Sequence, residues 1–304
     1  MMTVAERLAR RVLNAQGYRS RFLSTRRGKV HMLDGPGQGK LPPIVMLHGI
    51  SANAISFTSL IRHIAPHTRR VIAPDCPGHG FSETPAAGLD RDAMADGLAE
   101  TLDQVIDEPS IILGTSMGGF AAVRYAAQNP DRIRGLALVC PGGAPMPAAQ
   151  LQAFLDRFRI DRYEQAFAFV DRMFAGKAGL LRPFLAHGIR GRFSHPEMRR
   201  LLDSIGPEDM LTPEELRALS MPTLLLWGRE ERILPADNLE FFRTHMPDHA
   251  EIEEWSDFGH CGFLERPERV ARRIVGFARS TVPTQHRLRV STRVGNRDTL
   301  RISA

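Results

Sequence analysis

The sequence predicts an α/β fold, in which helices cover both faces of a mostly parallel sheet and a helical cap is inserted. Short runs rich in Leu and β-branched residues alternate with segments of helical periodicity, a pattern typical of strands buried on both faces. The alternation stops between residues 144 and 218, where the patterns are all helical. The strand-like runs are IVMLHG at 44–49, RVIAPD at 70–75, IILGTS at 111–116, GLALVC at 135–140, TLLLWG at 223–228 and AEIEEW at 250–255. The predicted core helices lie near residues 53–65, 90–106, 118–128, 236–245 and 262–279.

The chain before the first of these runs predicts one helix and an antiparallel pair of strands. Residues 3–16 place three aliphatic side chains at helical spacing, and Gly17 ends the helix. This helix either docks on its own domain or lies on a membrane surface. The segments 18–25 and 29–35 flank Arg27-Gly28, as in a hairpin. The three aliphatic residues are Val4, Leu8 and Val12.

Residues 144–218 predict a helical cap between the two parts of an α/β core, residues 1–143 and 219–282. A basic tail follows at 283–304, and its pattern is compatible with a hairpin turning at Gly295-Asn296. The cap segment holds seven of the sixteen Phe residues. They either line an apolar substrate pocket or only join the cap helices to one another. These seven are Phe154, Phe158, Phe167, Phe169, Phe174, Phe184 and Phe193.

Composition and charge disfavour several function classes. No run approaches 18 consecutive apolar residues, and the charged N-terminal segment lacks the features of a secretory signal. The three cysteines are far apart, so we expect reduced thiols and a cytoplasmic location. The net charge of +6 is concentrated at the ends, since residues 31–281 carry −5. The basic ends carry no interleaved aromatic residues and no recognisable binding module, so we do not expect nucleic-acid binding. Membrane contact through these ends is the less favoured interpretation.

The strongest motif is the sequence Gly114-Thr115-Ser116-Met117-Gly118-Gly119, which follows a predicted strand and opens a predicted helix. Small residues on both sides of Ser116 permit the sharp turn of a nucleophile elbow, which exposes the hydroxyl. The alternative is a glycine-rich turn that binds phosphate or only packs. Three further elements in the expected chain order favour the nucleophile.

The first of these elements is Leu47-His48-Gly49-Ile50, at the end of an earlier strand. An acyl-transfer enzyme needs two N–H donors at the position where negative charge develops on the tetrahedral oxygen. We expect the backbone amides of Ile50 and Met117 to form this oxyanion hole. His48 is expected to brace the loop.

The remaining two elements supply a base and an acid. His260 lies in the loop after the last predicted strand, on the side of the sheet where Ser116 emerges, so its imidazole can accept the Ser116 proton. The acid that orients it is expected after TLLLWG, where Glu230 and Glu231 are adjacent. Chain order then runs nucleophile, acid, base. Glu231 is the first choice, Glu230 the second, and an acid elsewhere stays open.

With these motifs the chain resembles the α/β-hydrolase superfamily, in its capped esterase and C–C-bond hydrolase branch, over about residues 18–280. The resemblance includes the segment Asp75–Ser82 (DCPGHGFS), to which it assigns a bracing role at the rim of the site. It implies an Asp where Glu231 stands. The other place at which some members carry the acid reads Cys140-Pro141-Gly142-Gly143 and offers no carboxylate, which favours Glu231.

The resemblance also narrows the reaction. Relatives with an Asp nucleophile form an alkyl-enzyme ester, whereas a Ser nucleophile implies an acyl-enzyme. We therefore expect hydrolysis of small to medium hydrophobic carboxylic esters without a metal or organic cofactor. Two alternatives stay open: hydrolysis of C–C bonds in β-diketones or ring-cleavage products, and ligand binding without turnover. C–C hydrolases often carry a Trp shortly after the base, and here Cys261-Gly262-Phe263 follows.

Further residues are assigned less specific roles. Phe154, Phe158 and Phe263 are candidates for binding the substrate. The pairs His63/His67 and His245/His249 have the spacing of metal ligands but no third ligand near them, so metal binding is not expected. Cys76 and Cys261 are expected to be small core residues.

Overall fold

The structure is a computed structural model that describes residues 4–176 and 178–282. Within them lies a sheet of eight strands. They are β1 (Arg19–Thr25), β2 (Gly28–Pro36), β3 (Ile44–Leu47), β4 (Arg70–Pro74), β5 (Ser110–Thr115), β6 (Ile133–Val139), β7 (Thr223–Gly228) and β8 (Glu251–Trp255). Their order in the sheet is β1-β2-β4-β3-β5-β6-β7-β8.

Helices fill most of the connections. They are α1 (Val4–Ala15), α2 (Thr58–Ile64), α3 (Arg91–Val105), α4 (Met117–Gln128), α5 (Ala148–Asp156), α6 (Tyr163–Met173), α7 (Arg182–Phe193), α8 (Pro196–Asp203), α9 (Pro213–Arg217), α10 (Asp237–His245), α11 (Gly262–Glu265) and α12 (Pro267–Ser280). Short 3₁₀ turns occur at Ala54–Phe57, Pro130–Arg132, Gly179–Leu181 and Pro207–Asp209.

The sheet is parallel from β4 to β8, whereas β2 runs antiparallel to both of its neighbours, β1 and β4. Every residue of β3, β5 and β7 is buried, whereas β1 and β8 at the edges are half exposed. This difference explains why the inner strands read as continuous apolar runs, since helices cover both of their faces. The predicted fold class, an α/β-hydrolase fold, is confirmed.

The chain reverses its direction of travel across the sheet at β3. From β3 it moves to β4 on one side, and later to β5 on the other side. Loops that leave such a switch point diverge and open a crevice at the carboxyl ends of the strands. Leu47 pairs with Gly114, so the loops after β3 and β5 begin beside each other.

Helix α1 docks on its own domain. Leu13 is fully buried, Arg10 stacks over the ring of Phe81 with its guanidinium carbon 4.0 Å from the ring centre, and Glu6 is ion-paired with Arg192. Leu8, in contrast, is 60% exposed, so the predicted apolar stripe is not the face that packs. The tail with its predicted turn at 295–296 lies outside the described residues. No helix among residues 4–176 and 178–282 is long and apolar enough to span a membrane.

Between β6 and β7, the described elements are helices and 3₁₀ turns, and we call residues 148–217 the helical segment. Its interior contains an aromatic cluster in which Phe158 contacts Phe169 and Phe193, with ring centres 5.4 and 5.6 Å apart. Phe154, on α5, joins this cluster, with its ring centre 5.1 Å from that of Phe158, which follows the helix. These contacts hold the helices of the segment to one another.

Candidate active site

Ser116 lies at the junction of β5 and α4, in a backbone conformation that residues with a side chain rarely adopt. Its φ is 53° and its ψ is −120°. The turn is held by hydrogen bonds on both sides: the Ser116 amide donates to Val139 O at 3.2 Å, and its carbonyl accepts from the amides of Phe120 and Gly142, both at 3.0 Å. Backbone strain that the surroundings enforce is a feature of functional sites, and this geometry is that of a nucleophile elbow.

Glycines let helix α4 approach the strands closely enough to form this turn. A side-chain carbon at Gly118 would lie 2.2 Å from Leu47 O, and one at Gly114 would lie 2.5 Å from Gly118 O. Neither position therefore admits a side chain. This explains why the motif needs glycine at these positions and not only small residues.

The loop after β3 lies directly against Ser116. It makes a tight turn in which the Ala52 amide donates to Gly49 O at 3.1 Å, and a side-chain carbon at Gly49 would be 3.6 Å from Ser116 Oγ. Within the part of the chain that the structure describes, the amides of Ile50 and Met117 donate to no other protein group. Both amides that the sequence predicts as oxyanion donors are thus available to bind a substrate atom.

His48 uses both ring nitrogens to hold this loop. Nε2 accepts a hydrogen bond from the Cys76 amide at 2.9 Å, so the proton is on Nδ1, which donates to Gly49 O at 2.8 Å. The ring is fully buried, and this burial lowers its pKa, which keeps it neutral. The expected bracing role agrees with these contacts.

His260 Nδ1 is hydrogen-bonded to Glu231 Oε2 at a distance of 2.7 Å. The other carboxylate oxygen accepts from the amides of Ile233 and Leu234 at 2.7 and 3.0 Å. Glu230, the alternative acid, is exposed. The structure therefore brings the imidazole together with Glu231 and not with Glu230.

Opposing influences act on the Glu231 carboxylate. Burial, the largest, raises its pKa, but the charge and hydrogen bond of His260 together with the two amides outweigh burial and hold the pKa below its ordinary value. Cys140 lies beside this carboxylate, and burial followed by the charge of Glu231 raises the pKa of the thiol. Glu231 is thus ionised at neutral pH, and Cys140 is protonated.

Ser116 and His260 are not hydrogen-bonded to each other in this structure. Among residues 4–176 and 178–282, His260 is hydrogen-bonded through Nδ1, and neither its Nε2 nor the Ser116 hydroxyl has a hydrogen-bonding partner within the protein. Hydrogen bonds between catalytic groups are often long in enzymes without bound substrate.

A family comparison identifies the scaffold that carries these groups. The model of the "Alpha/beta hydrolase family" matches residues 44–273, which include all the positions described above. The chain belongs to the alpha/beta hydrolase family.

The alpha/beta hydrolases that resemble this chain include enzymes with different substrates. It is 28% identical over 247 residues to a 2-hydroxymuconate semialdehyde hydrolase of Pseudomonas sp. (strain CF600), covering 76% of this chain and 83% of that protein. It is 26% identical over 276 residues to the monoacylglycerol lipase ABHD6 of Homo sapiens, covering 82% and 78%. The structure of naproxen esterase from Bacillus subtilis superposes with a TM-score of 0.71 at 22% identity, covering 91% and 99%.

Asp75 joins two loops in this alpha/beta hydrolase, and its contacts are compatible with the bracing role that the resemblance implies. Its buried carboxylate accepts hydrogen bonds from the amides of Ala54 at 2.7 Å and Phe81 at 2.8 Å, and His31 Nδ1 lies 2.8 Å away. One carboxylate thereby ties the loop after β3 to the loop after β4. The partner His31 was missed at the sequence level, because it lies on β2, more than forty residues away in the chain.

Glu265 is a second residue that the sequence did not single out. Its carboxylate accepts from the amide of Gly259, just before His260, at 3.1 Å, and from the amides of Ala175 and Gly176 at 3.1 and 3.2 Å. This one side chain connects the His260 loop to the helical segment. A carboxylate five residues after a candidate base is the signal that could have indicated it.

The candidate substrate-binding residues all make packing contacts. Phe154 and Phe158 belong to the aromatic cluster of the helical segment, and Phe263 contacts Phe57 with ring centres 5.4 Å apart. Cys76 and Cys261 are buried, and burial raises the pKa of both thiols, that of Cys76 to about 12. Among the described residues no group of three or more His, Cys, Asp or Glu side chains could hold a metal ion.

Proposed function

We propose that the protein is a serine hydrolase that cleaves carboxylic esters of small to medium hydrophobic substrates through an acyl-enzyme. Ser116 is the nucleophile, His260 the base and Glu231 the acid, and the amides of Ile50 and Met117 form the oxyanion hole. The observation that carries the proposal is the 2.7 Å hydrogen bond between His260 Nδ1 and Glu231. It assigns the tautomer whose Nε2 can accept a proton.

The first half of the reaction forms the acyl-enzyme. Ser116 Oγ attacks the ester carbonyl carbon while its proton passes to His260 Nε2. Glu231 stabilises the imidazolium that results, and the negative oxygen accepts hydrogen bonds from the amides of Ile50 and Met117. When the intermediate collapses, the C–O bond to the alcohol breaks and the imidazolium gives its proton to the departing oxygen.

The second half regenerates the enzyme. Water attacks the acyl carbon while His260 Nε2 takes one of its protons, a second tetrahedral intermediate forms, and the proton returns to Ser116 Oγ as the acid leaves. Each oxyanion donor typically contributes about 3–4 kcal/mol to the stability of such intermediates.

In this proposal the helical segment acts as the cap, with bounds near residues 144–218. Hydrogen bonds between the cap and the loops of the site support this role. Arg232, which follows the acid, donates to Phe174 O at 2.6 Å, and the amide of Cys261, which follows the base, donates to Met173 O at 2.8 Å. A cap joined to both loops covers the site where acid and base meet.

The test has two parts. A fluorophosphonate probe should label wild-type protein at one equivalent per chain and should not label Ser116→Ala. A screen of p-nitrophenyl esters of increasing acyl length, together with thioesters, lactones and β-diketones, should give turnover of esters with an initial burst when the acyl-enzyme accumulates. Labelling with turnover of β-diketones alone would replace the ester proposal with C–C hydrolysis. Labelling without any turnover would favour ligand binding, and no labelling would refute the nucleophile.

A further inference from the structure

A polar cavity of about 160 Å³ lies where the helical segment meets the core. Its walls come from the turn after β3, the loop after β4 and the junction of α7 with α8. The residues that matter for its chemistry are Ser51, His79, Ser82, Arg192 and Glu197. Neither Ser116 nor His260 lines it, so the cavity is separate from the groups that we assign to the reaction.

His79 supplies the most specific feature of this cavity. The ring is 4% exposed, and its Nδ1 lies 3.0 Å from Pro77 O, to which it donates. Burial, the largest cause, lowers the pKa of His79 to about 4, and the positive charge of Arg192 acts in the same direction, so the ring is neutral. Its Nε2 is then an acceptor, and this buried atom has no hydrogen-bonding partner among the described residues. A buried acceptor without a protein partner accepts a hydrogen bond from a bound molecule, either water or a ligand that displaces it.

The charges around the cavity favour a neutral donor. Arg192 is ion-paired with Glu6, and its positive charge near His79 disfavours a cationic group beside that ring. Glu197, whose carboxylate accepts from the Leu89 amide at 2.7 Å, disfavours an anionic group. A hydroxyl group donates a hydrogen bond without carrying a charge, so it fits both conditions.

The cavity is also within reach of the nucleophile. Ser51 and Ala52, which line it, belong to the same turn as Gly49, and that turn lies against Ser116 Oγ. A turn of four residues spans less than about 7 Å between its first and last Cα atoms, so the cavity wall lies on the order of 10 Å from the hydroxyl. The volume corresponds to about five water-sized groups, close to the size of a three-carbon polyol.

We propose that this cavity binds the hydroxyl-bearing alcohol part of the ester, with His79 Nε2 accepting a hydrogen bond from one of its hydroxyl groups. The proposal rests on the ester-hydrolase function and specifies its substrate class: esters of small neutral polyols. The Ser51 and Ser82 hydroxyls lie in the same walls and provide further partners for a polyol.

The experiment compares butyrate esters that differ only in the alcohol. Wild-type enzyme should hydrolyse glycerol monobutyrate with a kcat/KM about three- to tenfold above that of propyl butyrate, the difference that one neutral hydrogen bond makes. Choline butyrate should show no such gain. His79→Leu should bring the ratio of glycerol to propyl ester close to one, and His79→Gln, which keeps an acceptor, should restore part of it. His63→Leu, which removes an exposed imidazole on α2, is the matched control and should leave the ratio unchanged.

The outcomes separate this inference from the proposed function. Turnover of both esters with no preference for glycerol in the wild type overturns the inference and leaves the ester hydrolase intact. A preference that survives in His79→Leu overturns the assignment to His79. The absence of both fluorophosphonate labelling and ester turnover refutes the proposed function, and this inference with it.

Discussion

The loops after β3 and β8 each carry a histidine, His48 and His260, and the two histidines differ in how their ring nitrogens are used. In the loop after β3, His48 has both ring nitrogens hydrogen-bonded, to Gly49 O and to the Cys76 amide. In the loop after β8, His260 has one, Nδ1, bonded to Glu231. A ring with both nitrogens bonded within the protein cannot accept a further proton without losing a contact. A ring with one unbonded nitrogen can accept a proton there and keep its other contact.

The number of ring nitrogens bonded within the protein also distinguishes His31 from His79. His31 lies with one nitrogen 2.8 Å from Asp75 and the other 3.1 Å from Ser20, so it belongs with His48 as a bracing residue. His79 has one nitrogen bonded and one unpartnered among the described residues, like His260, but no carboxylate orients it. It therefore suits ligand binding better than proton transfer.

The largest expected effect comes from replacing the two histidines in parallel. His260→Ala should lower kcat by about 10⁵–10⁶-fold, as the loss of the base does in a serine hydrolase. His48→Leu leaves the Cys76 amide and Gly49 O without partners, so it should lower that free energy by about 2–4 kcal/mol. Ester turnover and urea denaturation of both variants measure the contrast.

The comparison fails if the two variants lose turnover to a similar extent at equal stability. In that event His48 would take part in the reaction, and the number of bonded nitrogens would not distinguish a base from a brace. The wild-type chain and the exposed-site variant His63→Leu provide the reference for both measurements.

The second prediction concerns the carboxylate that makes the two loops different. Glu231→Gln should lower kcat by about 10⁴-fold, because the amide cannot stabilise the imidazolium and favours the wrong tautomer. Glu230→Gln is the matched control, since Glu230 is adjacent in the chain and exposed, and its turnover should remain near that of wild type. Steady-state kinetics on the best ester from the screen decide between them.

Glu231→Asp sharpens this prediction. Glu231 bonds His260 with one oxygen and the Ile233 and Leu234 amides with the other, so a shorter side chain cannot keep both contacts without moving the loop. We expect activity between that of wild type and Glu231→Gln. Full loss of activity in Glu230→Gln, with Glu231→Gln active, would transfer the role of acid to Glu230.

Much of the fold could be predicted because its inner strands are buried on both faces. The runs at 111–116 and 223–228 coincide with β5 and β7 to within a residue. The predicted last helix, in contrast, is two helices, α11 and α12, because Pro267 lacks an amide hydrogen and begins a new helix. Tertiary packing also determines which face of α1 is buried. Leu13, which lies off the predicted apolar stripe, is the side chain that becomes fully buried.

The site was predictable where a motif carries it, and not where contacts join distant segments. The backbone strain at Ser116 follows from glycines next to it in the chain. The bonds of Glu265 to Ala175 and of Asp75 to His31 depend on how the chain is folded, and their residues carry no local pattern. The unpartnered nitrogen of His79 is likewise visible only in three dimensions.

The smallest expected effect is a pH dependence of stability that His79 and His48 share. Burial lowers the pKa of both rings from 6.5, that of His79 to about 4, so between these values the unfolded chain binds protons that the folded chain does not. Stability must then fall as the pH decreases from about 6.5, by up to about 1.4 kcal/mol per pH unit for His79 and in the same direction for His48. His79→Gln removes one of them and should give a shallower decline in urea-denaturation free energy between pH 6.5 and pH 4.5, whereas His63→Gln, at an exposed position, should follow the wild type. If the His79→Gln and wild-type curves run parallel, His79 binds its proton over the same pH range in the folded and the unfolded chain, and burial does not lower its pKa.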